Sequence, residues 1–384
     1  MSAKQTSMSA SLVALLLVSS SVTAFAEPGE GEPVQRAGEV CDEHDTAAPG
    51  QTEPASTPSA PDPPKRQPTG TFQLGVGFSS DENFIATASI AQSNLFNTGQ
   101  RLALTTRISS RRQLFQLDHA IPNLFGSGVE LRTQLYARDD EFPGFRRKAA
   151  GGSALLDQKV GEHLHAFTGF RFERVTAEVD DPVSARTDVP GLMGYRDLTI
   201  ASLRGGLVYS TLDQPYLPTK GMLLGTSIEV ADRRLGSDVQ MTRIDGWGSI
   251  HQSVGPFIAH LGGSVAAISS RDPGGVPLSE RLFLNRSNLV RGYGPGEIGP
   301  RHGGNFEYTA RGELELPLFP KLGISAVGFI DHGGIYDSMG RGSTGTSAGF
   351  GLIWRSPIGP LRFDWAFPLD GGKPQFVFGL GASF

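Results

Sequence analysis

From Gly70 to the last residue the sequence alternates between apolar and polar with a period of two. In "FEYTARGELEL" Phe306, Tyr308, Ala310, Gly312, Leu314 and Leu316 fall on one face, and Glu307, Thr309, Arg311, Glu313 and Glu315 on the other. Successive side chains of a strand point to opposite faces, so the two faces of this segment meet different surroundings. The final segment repeats the pattern, with Phe376, Phe378, Leu380, Ala382 and Phe384 opposite Gln375, Val377, Gly379, Gly381 and Ser383.

Alternation alone leaves two architectures open. A soluble sandwich turns its apolar face inward, whereas a membrane barrel turns it outward against lipid, around a polar lumen. Three features favour the barrel. The segments run to about 9 to 14 residues, which suits a tilted bilayer crossing; short turns alternate with long loops; and the chain ends on an aromatic C-terminal signal, Phe384.

Cutting at turn signals predicts strands at 71–78, 83–91, 99–109, 113–120, 128–138, 148–159, 163–174, 198–211, 221–232, 238–252, 256–270, 304–316, 322–331, 346–355, 359–367 and 374–384. Sixteen is an even number, as single-chain bacterial barrels require. The expected fold is therefore an all-β, 16-stranded antiparallel transmembrane barrel, closed because an open edge in lipid leaves backbone groups unpaired. With both ends on the periplasmic side, long outer loops follow odd-numbered strands, and 175–197, 271–303 and 332–345 are the longest three.

The rest of the 384 residues fits an exported barrel. Lys4, an apolar run over 12–18 and Ala24-Phe25-Ala26 before Glu27 read as a signal peptide over 1–26. Residues 27–69, rich in Pro, Glu, Ser and Thr, have too few large apolar side chains for a core and read as a disordered periplasmic tether. The barrel domain is then 70–384. Elsewhere no uncharged apolar run approaches a spanning helix. The formal net charge of -5 argues against nucleic acid as a partner. Cys41, the one cysteine, lies well past the cleavage site, which leaves neither a disulfide nor a lipid-anchored first residue.

Other chemistry is thinly represented. There is no G-x-S-x-G and no visible nucleophile, base and orienter set, so the chain reads as a non-enzyme without cofactor. His163 and His165 share a strand face but lack a third ligand of suggestive spacing, so no metal is assigned. "EVDDP" at 178–182 and "FRRK" at 145–148 read as solvated outer loops, with calcium and lipopolysaccharide phosphates as the less favoured readings.

The sixth outer loop contains "NLVRGYGPGEIGP", residues 288–300, whose Arg291 sits between apolar neighbours that suit a partly dry interior. Val290-Arg291-Gly292-Tyr293 resembles the V-R-G-Y/F tip of the BamA-like superfamily of outer-membrane assembly and secretion barrels. "GFIDHGG" at 328–334 is similar to that family's G-F-x-D motif, Glu313 with Pro317 to its acidic strand-twelve position, and "GFGLIWRSPIGPLRFDWAFPL" to its final hairpin.

The resemblance implies that the sixth loop folds into the lumen and that Arg291 meets Asp331. Glu313 and Phe329 lie nearby, and Gly292 permits the tight tip, so the loop locks and braces the wall. It also implies a lateral seam between the first and last strands. Each carries Gly-x-Gly, Gly75 and Gly77 in one and Gly379 and Gly381 in the other; the alternative is that these glycines relieve lumen crowding and curvature. Members that insert or secrete proteins carry POTRA domains, for which 27–69 is too short and too polar, so the resemblance is to the subgroup lacking them.

Two functions follow. The first is a barrel that assists insertion or translocation of other proteins at the outer membrane. Its partners are outer-membrane lipids, client outer-membrane or secreted proteins, and a separate periplasmic protein. The alternative is a passive narrow pore or structural surface antigen. In either case the chain is expected to be a monomer.

Overall fold

The computed structural model describes residues 70–79, 82–180, 197–214, 218–284, 290–294, 296–356 and 359–380. The expected signal peptide and tether, together with Gly381 and Phe384, lie outside them. Sixteen antiparallel strands form one closed barrel in sequence order. They are β1 (Gly70–Ser79), β2 (Asn83–Leu95), β3 (Gln100–Ser109), β4 (Arg112–Ile121), β5 (Val129–Phe142), β6 (Phe145–Lys159), β7 (Leu164–Val179) and β8 (Asp197–Ser210). There follow β9 (Gly221–Ala231), β10 (Met241–Val254), β11 (Phe257–Ser270), β12 (Phe306–Phe319), β13 (Ile324–Tyr336), β14 (Gly342–Ser356), β15 (Gly359–Pro368) and β16 (Gln375–Leu380).

The two faces settle which way round the barrel is built. Leu135, Phe170, Leu203, Ile244, Leu261, Leu314, Ile330 and Phe350 are exposed, while Asp118, Glu173, Glu229, Asp245, Glu315, Asp331 and Asp364 are buried. A soluble sandwich has the opposite arrangement, so the apolar exterior is the surface of a membrane barrel.

Several strands run further than the sequence suggests, mostly at the outer end. β5 and β6 meet across Pro143-Gly144, and β13 and β14 shorten the expected 332–345 loop to 337–341. The polar composition there marks strand rising above the bilayer, where cross-strand charges satisfy one another. Arg146 Nε donates to Asp139 at 2.6 Å and Lys148 Nζ to Glu178 at 2.8 Å, while Phe142 and Phe145 stack at 4.9 Å. The "FRRK" segment is thus the start of β6 and not a loop; Phe145 and Arg147 are buried inside the barrel. His163 and His165 do not converge either. His163 lies in the β6–β7 turn, edge-on to Tyr209, and His165 meets Asp157 Oδ1 at 3.2 Å.

The described residues of the connection between β11 and β12 fold into the lumen. Its Val276, Leu282, Leu284, Val290, Tyr293 and Ile298 pack in one buried cluster with the inward side chains Val175, Leu198, Ile200, Met241, Ile268 and Ile335 of the wall. The loop supplies six of the sixteen residues of this apolar core inside a polar lumen.

Candidate functional site

The tip of this sixth outer loop is held by four successive residues with different jobs. Val290 is buried in the apolar cluster. Arg291 enters a pocket of carboxylates between β12, β13 and β15. Its Nε donates to Asp331 Oδ2 at 2.6 Å and its Nη2 to Asp331 Oδ1 at 2.7 Å, the two-pronged contact that a planar guanidinium makes with a carboxylate. Its backbone N–H reaches the same carboxylate at 3.1 Å.

The third nitrogen of Arg291, Nη1, donates to Glu313 at 3.0 Å and to Asp364 at 3.1 Å. The guanidinium carbon lies 3.5 Å from the centre of the Phe329 ring, which floors the pocket. Arg291 is 13% exposed and Asp331 wholly buried, so water does little of the solvation.

Gly292 turns the chain with φ of 93°, a value that L side chains rarely adopt, and a Cβ there meets Ala366 at 3.2 Å and Pro368 at 3.3 Å. Tyr293 then hydrogen-bonds β14 twice. Its hydroxyl donates to Thr346 O at 3.0 Å and accepts from Thr346 N–H at 3.1 Å. On the wall Gly333 leaves room for Val290, whose Cγ2 stands 2.8 Å from where a Cβ would be.

The structure thus brings Val290, Arg291, Gly292, Tyr293, Glu313, Phe329 and Asp331 into one site. It also brings in residues that the sequence reading did not single out. Arg362 on β15 donates to Glu313 and, through Nε, to Asp364 at 2.6 Å, and Arg311 stands opposite Asp331 in the β12–β13 ladder. Three arginines therefore face three carboxylates, and the cluster balances its charge, which lets it persist at low dielectric. The alternating charges of "RFD" at 362–364 were the available signal, since they point one way across a strand.

The opposite wall holds the same loop a second time. A short 3-10 turn, Leu278–Glu280, puts Glu280 against β6 and β7, where it accepts from Arg147 Nη2 at 2.9 Å and Arg171 Nη2 at 3.1 Å. Arg147 Nε also donates to Ser279 O at 2.9 Å. Behind them Glu173 binds both arginines and takes the Tyr136 hydroxyl at 2.6 Å, and Glu229 takes Arg171 at 2.8 Å. Leu278 packs with Phe145 and Ala177, flanked by Phe142, Val179 and Phe283. Nothing in the sequence around Glu280 singles it out.

The first and last strands meet at a joint whose far end lies outside the described residues. β1 shares ten residue pairs with β2, Gly70↔Gln92 through Ser79↔Asn83, but among the described residues one pair with β16, Ser79↔Gly379. Ser79 ends β1, so Gln375–Phe378 overhang it. Across the joint Phe78 and Phe378 approach to 6.0 Å between ring centres. Gly75 is not crowded, since a Cβ there meets Thr87 Cβ at 3.8 Å, an ordinary contact.

Comparison with known proteins places this arrangement. The Omp85 superfamily domain matches residues 94–384. The chain is 27% identical over 339 residues to the outer membrane protein assembly factor BamA of Nitratidesulfovibrio vulgaris, which covers 83% of this chain and 42% of that protein. It is 25% identical over 380 residues to BamA of Neisseria meningitidis, covering 82% and 47%. The chain therefore spans a little under half the length of these relatives. Among solved structures, BamA from Haemophilus ducreyi lacking POTRA domains 1-3 superposes with a TM-score of 0.74 at 23% identity, over 83% of this chain and 71% of that one.

Proposed function

This chain belongs to the Omp85 superfamily, and from that membership we propose that it assists the insertion of other β-barrel proteins into the bacterial outer membrane, in which it sits. The observation that carries this reading is the occupied lumen, which leaves the joint between the first and last strands as the place where a client strand can pair. The sixth loop is clamped to both walls and packed in an apolar core, so a polypeptide has no clear path through the outer half of the barrel. β1 and β16, in contrast, share a single described backbone pair.

A strand edge in lipid has no water to satisfy its N–H and C=O groups, so an incoming strand that pairs with it gains bonds that nothing else there supplies. Parting β1 from β16 exposes such an edge, and each new strand can be templated on it. No chemical step or cofactor enters, because pairing and burial supply the driving force. The clamped loop keeps the rest of the wall in register while the seam opens.

The test compares the outer-membrane protein inventory, by quantitative mass spectrometry, in cells depleted of the chain and then restored with one of two variants. The first is the native chain; the second carries Ser79→Cys and Gly379→Cys in a Cys41→Ser background. Selective loss of barrel proteins on depletion, rescue by the native chain, and rescue by the double-cysteine chain only under reducing conditions are expected. An inventory indifferent to depletion would overturn the assembly role and favour the passive barrel; full rescue by the oxidised chain would remove the seam from the mechanism.

A further inference from the structure

Close to the Gly255-Pro256 turn, on the short-turn side of the barrel, two histidines stand directly opposite each other on adjacent strands, His251 of β10 and His260 of β11. Both take the lumenal face, which they share with the buried Asp245 and Ser264, while Ile244 and Leu261 lie on the exposed exterior. Their Nδ1 atoms are 2.7 Å apart, with ring centres at 5.0 Å and ring planes at 69°. Two N–H groups cannot face each other at that distance, so one Nδ1 donates and the other presents a lone pair.

The outer nitrogens of the two rings are engaged as well. His260 Nε2 stands 3.4 Å from Glu315 Oε2 on β12, and the other oxygen of Glu315 accepts from Arg355 Nη2 at 2.7 Å. An ionised carboxylate only accepts, so a neutral His260 carries its proton on Nε2 and turns a bare Nδ1 to its neighbour. His251 Nε2 meets Ser249 Oγ at 2.8 Å, a hydroxyl that can donate or accept. A histidine that ligates a metal gives its other N–H to a carboxylate or similar acceptor, which fixes the tautomer and raises the basicity of the ligating nitrogen. Both acceptors are already in place here.

We infer that His251 and His260 form a two-histidine site in the lumen for a divalent transition-metal cation of the kind imidazole favours, Cu2+ or Zn2+. Two nitrogens each about 2.0 Å from one ion lie about 2.9 to 3.4 Å apart, so the rings part by less than about 1 Å to admit it. No proton is lost in net. The Nδ1 proton of His251 moves to Nε2, where Ser249 Oγ accepts it, and both Nδ1 lone pairs then face the ion. Among the described residues no third His, Cys, Asp or Glu joins the pair, so water from the lumen completes the shell. The His260 side chain is 20% exposed, which gives ion and water their access. Bound in this way, the cation ties β10 to β11 beside their turn.

The probe is Cu2+, the tightest binder of the first-row divalent ions, whose paramagnetic resonance signal splits by coupling to ligand nitrogens. The full chain, with Cys41→Ser and His44→Gln to remove thiol and tether ligands, is folded into dioleoyl phosphatidylcholine vesicles and given one equivalent of the ion. Heat-modifiable migration confirms folding of each variant. Coupling to two imidazole nitrogens is expected, lost in His251→Gln and in His260→Gln, and kept in His119→Gln on β4, whose ring bonds Gln100. Ser249→Ala, which leaves both rings and removes one acceptor, should weaken Cu2+ binding about 10- to 100-fold, and it decides the matter if neither histidine variant folds. A chain without two-nitrogen coupling, or coupling unchanged in the histidine variants, would overturn the inference and leave the pair as a hydrogen bond between strands. Cu2+ affinity indifferent to Ser249→Ala would overturn it too.

Discussion

Glu280 and Arg291 belong to one loop and are held by opposite walls of the barrel, Glu280 by Arg147 and Arg171 on β6 and β7, Arg291 by Asp331 and Asp364 on β13 and β15. Because the strands close in sequence order, β6–β7 and β13–β15 lie across the lumen from each other. The loop between them is a tie bar, and its two ends make separable contributions.

At the Arg291 end, Arg291→Ala leaves Asp331 buried without its main partner. Breaking a desolvated pair in this way costs about 3 to 5 kcal/mol, read as a fall in the urea midpoint of the vesicle-embedded barrel. Arg291→Lys keeps the charge and loses the fork and the stacking on Phe329, so a smaller loss is expected. Arg291→Ala with Asp331→Ala should cost less than the sum of the two single changes; strict additivity would mean the contact carries no coupling.

Glu280→Ala removes the other tie. Arg147 and Arg171 retain Glu173 and Glu229, so they stay neutralised, and the loss should be smaller than at Arg291. The sharper readout is single-channel conductance. Either change alone leaves the loop seated by the remaining anchor and the apolar cluster, and Glu280→Ala with Arg291→Ala together should open large conductance states. A double variant as quiet as the native barrel would mean that the apolar cluster alone holds the plug.

Gly292→Ala tests the tip. It places a side chain at φ of 93° and presses a Cβ against Ala366 and Pro368. A cost of about 1 to 3 kcal/mol is expected from the backbone alone, with the Arg291 contacts displaced; an unchanged midpoint would show that the tip can be rebuilt around it.

Gly75→Ala separates the two readings of the seam glycines. There is room for a methyl group, so stability should hold or improve by less than about 1 kcal/mol. If glycine is there to keep the edge pliable, client assembly falls while the unfolding midpoint does not. Parallel, unchanged values for both would leave Gly75 a matter of strand shape.

The sequence by itself determined the number and order of strands and which residues share a face. The faces follow from the two-residue period of a strand, which is local, and the turn signals divide the chain; at Phe306–Phe319 the faces could be read directly from six apolar residues alternating with five polar ones. The expected pairing of Arg291 with Asp331 came from resemblance to a family motif and not from the pattern.

Only the tertiary structure decided which inward charges meet. Arg147 and Glu280 are separated by 133 positions and Arg291 and Asp364 by 73, and their encounter depends on how the sheet closes and on its stagger. The reach of strands above the bilayer was decided the same way, because polar residues there look like loop until a neighbouring strand satisfies them.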